Sequence, residues 1–94
     1  MDNTSLLGLE LREQQCYLLC EVVERQPMPL GVFSSYDDLI TRHPNVKYGI
    51  IGDRLPYKCF VDEYLTGSLE PLFLDCKVDG RTYYYTIQYI SCYV

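Results

Sequence analysis

The four residues Val78-Asp79-Gly80-Arg81 constrain this chain more than any other stretch. A two-residue hairpin turn of the favoured hand needs positive φ at both central positions, and Asp-Gly supplies it. With Asp79 and Gly80 as the loop, residue 78 faces 81, 76 faces 83, 74 faces 85 and 72 faces 87. One face then carries Leu72, Leu74, Cys76 and Val78 beside Tyr83, Tyr85, Ile87 and Tyr89. The other carries Phe73, Asp75 and Lys77 beside Thr82, Tyr84, Thr86 and Gln88. Strand side chains alternate with period two, so the turn and the burial pattern demand the same register.

A second turn is read at Leu65-Thr66-Gly67-Ser68. It extends the hairpin to a three-stranded antiparallel meander over about residues 57–65, 72–78 and 81–91. Cys59 would lie opposite Leu74, Val61 opposite Leu72, Lys58 opposite Asp75 and Phe60 opposite Phe73. Pro71 cannot donate to a ladder, so the middle strand is expected to begin after it.

The first half gives weaker signals. Gln15 to Arg25 is expected as a strand, with Cys16, Leu18, Cys20 and Val22 on one face and Tyr17, Leu19 and Val23 on the other. Leu7, Leu11, Leu18 and Val22 also fit one helix over about 5–26, and periodicity alone leaves both open. Leu6 to Leu11 reads as a short strand or arm, and Pro27-Met28-Pro29-Leu30-Gly31 as a connector. Ser34-Ser35-Tyr36-Asp37-Asp38 opens a helix, with a serine cap and two aspartates at the positive end of the dipole. Tyr36, Leu39, Ile40 and His43 follow helical spacing until Pro44 stops it. The expected architecture is α+β over residues 1–94 as a single domain: the meander, an N-terminal strand and one short helix packed on the Leu/Tyr face.

Composition narrows the function. The 94 residues carry 8 Lys plus Arg against 13 Asp plus Glu, net −5, which is not the footprint of a nucleic-acid binder. Apolar runs such as Tyr17-Leu18-Leu19-Cys20 are too short to span a bilayer. The N-terminus lacks a basic region and an apolar core, so a secretory signal is not expected. Five cysteines, an odd number with no C-x-x-C, then point to reduced thiols and a cytoplasmic protein. No zinc set is expected, because His43 is the only histidine.

No catalytic constellation emerges. His43 sits at a helix end, where a partly packed histidine suffices as explanation. Neighbouring acids such as Asp62-Glu63 would point to opposite faces of a strand, which spoils joint acid–base work. No cofactor is implied. The reverse face of the expected meander is more informative: Phe60, Phe73 and Tyr84 on three neighbouring strands, flanked by Asp62, Glu63, Tyr64 and Asp75. It is either a second core layer or an aromatic, acid-rimmed surface for a protein partner. The long strand Arg81–Ser91 is expected either to pair with a second copy, as a homodimer through that edge, or to be covered by Gln15–Arg25.

The stretch Tyr17-Leu18-Leu19-Cys20-Glu21-Val22-Val23, followed by Gly31-Val32-Phe33-Ser34-Ser35-Tyr36-Asp37-Asp38, resembles an opening found in small phage and mobile-element proteins. The acidic single-domain style is similar to phage anti-defence proteins, anti-CRISPR inhibitors among them. The acidic charge and the lack of a catalytic constellation point to a non-enzymatic cytoplasmic inhibitor or adaptor that binds a larger protein at a basic surface. The resemblance implies an anti-defence setting with a host immune protein as that partner. The alternative class is a small-ligand binder that sequesters a nucleotide signal. That class asks for converging cations, and Arg12, Arg25, Arg42, Arg54 and Arg81 are scattered in sequence.

Overall fold

The structure is a computed structural model that describes residues 13–50, 58–67 and 70–93. Its elements are β1 (Glu13–Val23), β2 (Gln26–Phe33), α1 (Tyr36–Arg42), a 3₁₀ turn (Pro44–Tyr48), β3 (Gly49–Ile50), α2 (Lys58–Gly67), β4 (Leu72–Val78) and β5 (Arg81–Tyr93). The strands form one antiparallel sheet in the order β2-β1-β5-β4-β3. The fold is therefore α+β.

The β4–β5 hairpin turns at Asp79 and Gly80, with φ of 50° and 80°. The expected register holds along its length: Val78 faces Arg81, Cys76 faces Tyr83, Leu74 faces Tyr85 and Leu72 faces Ile87. β4 begins directly after Pro71, where the ladder no longer needs that residue's missing N–H.

β1 is the strand expected at Gln15–Arg25. It lies beside β5, with Tyr17 opposite Tyr89 and Leu19 opposite Ile87. β5 pairs with β4 over its first half and with β1 over its second, the two overlapping at residues 85–87. It is thus not an edge strand: of the two outcomes expected for it, coverage by β1 is the one found. The edge that a homodimer through β5 required is taken.

Two expectations are overturned. Residues 57–65 were to be the first meander strand, but Lys58–Gly67 is a helix. Val61 and Leu65, one turn apart, are both buried, while Lys58 bonds Asp62 and the Thr66 hydroxyl donates to the Asp62 carbonyl at 2.7 Å, all i,i+4 contacts. The pairings of Cys59, Val61, Lys58 and Phe60 with β4 therefore do not exist. β4's outer neighbour is β3, with Gly49 opposite Cys76. The supposed hairpin at Leu65–Ser68 is in its described part the end of α2.

The connector Pro27–Gly31 is also a strand, the outer one of the sheet. Proline is tolerated there because an outward N–H has no partner to lose. A bulge at Leu19/Cys20 absorbs the mismatch between β1 and β2. The arm at Leu6–Leu11 lies outside the described residues.

α1 starts as the capping signal requires, with the Ser35 hydroxyl accepting from the Asp38 N–H at 3.1 Å. Both helices pack on one face of the sheet. Tyr36 and Leu39 of α1, Val46 of the 3₁₀ turn, and Val61 and Leu65 of α2 cover Tyr17, Leu19, Leu72, Leu74, Tyr85 and Ile87. Gly49 permits the close approach of the 3₁₀ turn, since a Cβ there would stand 3.1 Å from the Val46 carbonyl oxygen and 3.2 Å from the Cys76 sulfur. Among the described residues, no helix is long and apolar enough to cross a membrane.

Candidate functional site

The other face of the sheet is covered by no described helix or strand. The registers define its rows. Pro29, Cys20, Thr86 and Phe73 lie side by side across β2, β1, β5 and β4. Leu18 with Gln88 makes the next row, and Tyr84 with Asp75 stands on the far side. Cys20 and Thr86 are small and only 6% exposed each, whereas Phe73 is 64% and Tyr84 50% exposed. Small side chains between larger ones make a trough. It has a volume of about 500 Å³ and is lined chiefly by Leu18, Cys20, Pro29, Phe73, Thr86 and Gln88, with Arg25 at its end.

This arrangement divides the seven residues expected to form a partner surface. Phe73, Asp75 and Tyr84 lie on the open face. Phe60, Asp62, Glu63 and Tyr64 belong to α2, on the opposite side of the sheet. Only Asp75 of the expected acidic rim remains beside the aromatics. The trough floor was missed because it comes from β1: coverage of β5 by Gln15–Arg25 is one of the two expected outcomes, but no residue fixes the register that sets Cys20 beside Thr86. The alternation Cys16, Leu18, Cys20, Val22 was its only signal.

Asp62 has a different role from the one expected. Its carboxylate accepts a short hydrogen bond from the Tyr17 hydroxyl and one of 2.7 Å from Tyr89, on β1 and β5. Lys58 Nζ adds a bond at 3.3 Å. Burial pushes the Asp62 carboxyl upward. The hydrogen bonds from Tyr17, Tyr89 and Lys58, with the Lys58 charge, outweigh that and hold it below the ordinary value. The same contact raises Tyr17 and Tyr89, through burial first and the Asp62 bond second. The Tyr17 ring meets Tyr89 at 5.4 Å and Tyr36 edge-on at 6.1 Å. The cluster is a latch that ties α2 to the sheet.

His43 caps the C-terminus of α1, with its ring edge-on to Phe33 at 5.5 Å. Among the described residues no three His, Cys, Asp or Glu side chains gather to hold a metal ion. Cys16, Cys20, Cys59, Cys76 and Cys92 are all free thiols. Against these features, comparison with protein-family models, curated proteins and solved structures returns no match.

Proposed function

We propose that this chain is a non-enzymatic protein-binding module, of inhibitor or adaptor kind, that meets its partner with the open sheet face. The observation that carries the reading is the pair of exposed aromatics, Phe73 and Tyr84, standing beside the trough over Cys20 and Thr86. Aromatic anchors next to a shaped apolar hollow are the usual source of binding energy at protein interfaces. Carboxylates outside the rows, at Glu24 and Asp79 on the hairpin tips and Asp37 and Asp38 on α1, give the net −5 a long-range part in steering encounter with a basic partner. The resemblance of residues 17–23 and 31–38 to small phage proteins supports an anti-defence setting, with a host nucleic-acid-binding immune protein as the partner.

The test is capture from a host extract on the immobilised chain, followed by titration calorimetry with the purified partner. Phe73→Ala and Tyr84→Ala should each weaken binding by about 1–3 kcal/mol, or roughly 5- to 150-fold in Kd. Wild-type affinity in both variants would remove the open face as the contact.

A further inference from the structure

We infer that the free chain covers its open face with a second copy, packed sheet on sheet, the Phe73 ring of each copy seated over Cys20 and Thr86 of the other. The inference rests on the reading of that face as a binding surface and names its first occupant.

Shape is the first argument. A symmetric dimer interface is self-complementary: if residue i meets j, then j meets i. Such a surface must carry a projection and a matching hollow together. Here both lie in one row, since Phe73 faces Thr86 and Thr86 faces Cys20. The projection is 64% exposed, and the two floor residues are 6% exposed. An apolar cavity of roughly 150 Å³ accommodates a benzene ring. The trough, at about 500 Å³, admits a phenyl ring with room for the flanking side chains.

Charge is the second argument. Two chains of net −5 repel, so they associate where the surface does not carry that charge. The described carboxylates lie almost entirely elsewhere. Glu24 and Asp79 occupy turns, Asp37 and Asp38 are on α1, and Asp62 and Glu63 are on α2. Glu21 pairs with Tyr85 on the helix-covered face, Glu13 stands at the start of β1 and Glu70 just before β4. The open face has Asp75, with Lys77 two residues along the same strand and Arg25 at the end of the trough. One carboxylate and two cations in these places give opposite charges for pairing across a two-fold axis. A strongly basic partner gains little from these rows themselves.

Size sets the strength. Four strands at about 4.8 Å spacing and three rows of side chains give a footprint of roughly 19 by 20 Å. That is about half the standard interface of about 800 Å² per partner, so the dimer is a weak one that forms only as concentration rises.

The experiment is sedimentation equilibrium of the full chain under reducing conditions, from about 5 to about 500 µM, with Phe73→Arg and Thr86→Arg alongside. The expected result is a mass rising from one chain to two for the wild type. Each substitution should raise the dimer Kd at least about tenfold. Thr86 is buried, so its variant counts only if the far-ultraviolet circular dichroism is unchanged. Phe73 is exposed, and its variant keeps the test decisive. A wild-type chain that stays monomeric throughout overturns the inference, as does a Phe73→Arg variant that dimerises like the wild type. If the chain is monomeric yet captures another protein in a Phe73-dependent way, the dimer falls and the binding face stands. If it is monomeric and capture ignores both Phe73 and Tyr84, both fall.

Discussion

Removing the Asp62 carboxylate should loosen α2 from the sheet, and the structure sets the size of the effect. In Asp62→Ala the hydroxyls of Tyr17 and Tyr89 lose their acceptor. Hydrogen bonds to a charged group contribute about 1.5–3 kcal/mol each. Tyr89 is only partly buried and recovers part of its bond from water, whereas Tyr17 is 6% exposed and does not. The Lys58 pair, with the lysine side chain 59% exposed, adds a few tenths of a kcal/mol. Alanine returns about 0.5 kcal/mol as a better helix former. The net loss is about 2–3 kcal/mol, which for a domain of this size lowers Tm by about 10–20 °C. Urea unfolding followed by circular dichroism measures it, with Glu63→Ala, on the exposed side of α2, as a control expected within about 0.5 kcal/mol of wild type. A double-mutant cycle between Asp62→Ala and Tyr17→Phe should give a coupling of about 1–2 kcal/mol. The sign with pH follows from the lowered carboxyl. Its contribution is complete above the ordinary aspartate value of 3.8 and drains away as pH falls below that toward the folded-state value. Asp62→Asn should therefore flatten the acid limb of the stability curve. A coupling near zero, or an unchanged acid limb, would refute the latch.

Four further outcomes are expected. Tyr17, Tyr36, Tyr85 and Tyr89 are all raised, chiefly by burial; absorbance titration should show them ionising only as the chain unfolds, with stability falling as pH rises past about 10. Ellman titration of the denatured, unreduced protein should find five thiols; in the native protein exposed Cys59 should react first, and buried Cys76, pushed up to about 12, among the last. Leu74→Ala should cost about 2–5 kcal/mol in urea unfolding, and Phe73→Ala at low protein concentration should stay within about 0.5 kcal/mol, because they sit on opposite faces of β4. Glu24→Asn with Arg25→Gly should raise the urea midpoint by the equivalent of about 1–2 kcal/mol, since both residues hold positive φ (52° and 67°) that side-chain-bearing residues adopt at a cost.

The legible parts of the fold were those with local chemistry. Asp79-Gly80 states its own backbone conformation, so the register of β4 against β5 could be read outright. Ser35 and Pro44 punctuate α1 in the same way. The Glu24-Arg25 turn carries no such signature, because neither residue favours positive φ, and β2 was hidden behind two prolines that only an edge strand accepts. Over 58–67 the signals competed. Cys59, Val61 and Glu63 alternate as a strand would, while Val61 with Leu65 and Lys58 with Asp62 repeat at helical spacing. The i,i+4 contacts and the burial of Val61 and Leu65 against β4 favour the helix. The candidate surface was half legible for the same reason. Phe73 and Tyr84 follow from the readable hairpin, but Cys20 and Leu18 join them only through the register of a pairing between distant segments, and no local residue encodes that register.

That pairing gives the sheet an uneven history of assembly. β1 with β2, and β4 with β5, are local hairpins that close on the microsecond scale. The seam between β1 and β5 joins strands from opposite ends of the described chain, from Glu13 against Tyr93 to Glu21 against Tyr85. Its loop-closure entropy comes due before its contacts reward it, so zipping the seam is the slow step. On the ribosome β5 is the last of these strands to emerge. Until it does, the β1–β2 hairpin waits with the long edge of β1 unpaired and Leu19 uncovered, the interval in which a nascent chain of this fold is most open to pairing with a neighbour.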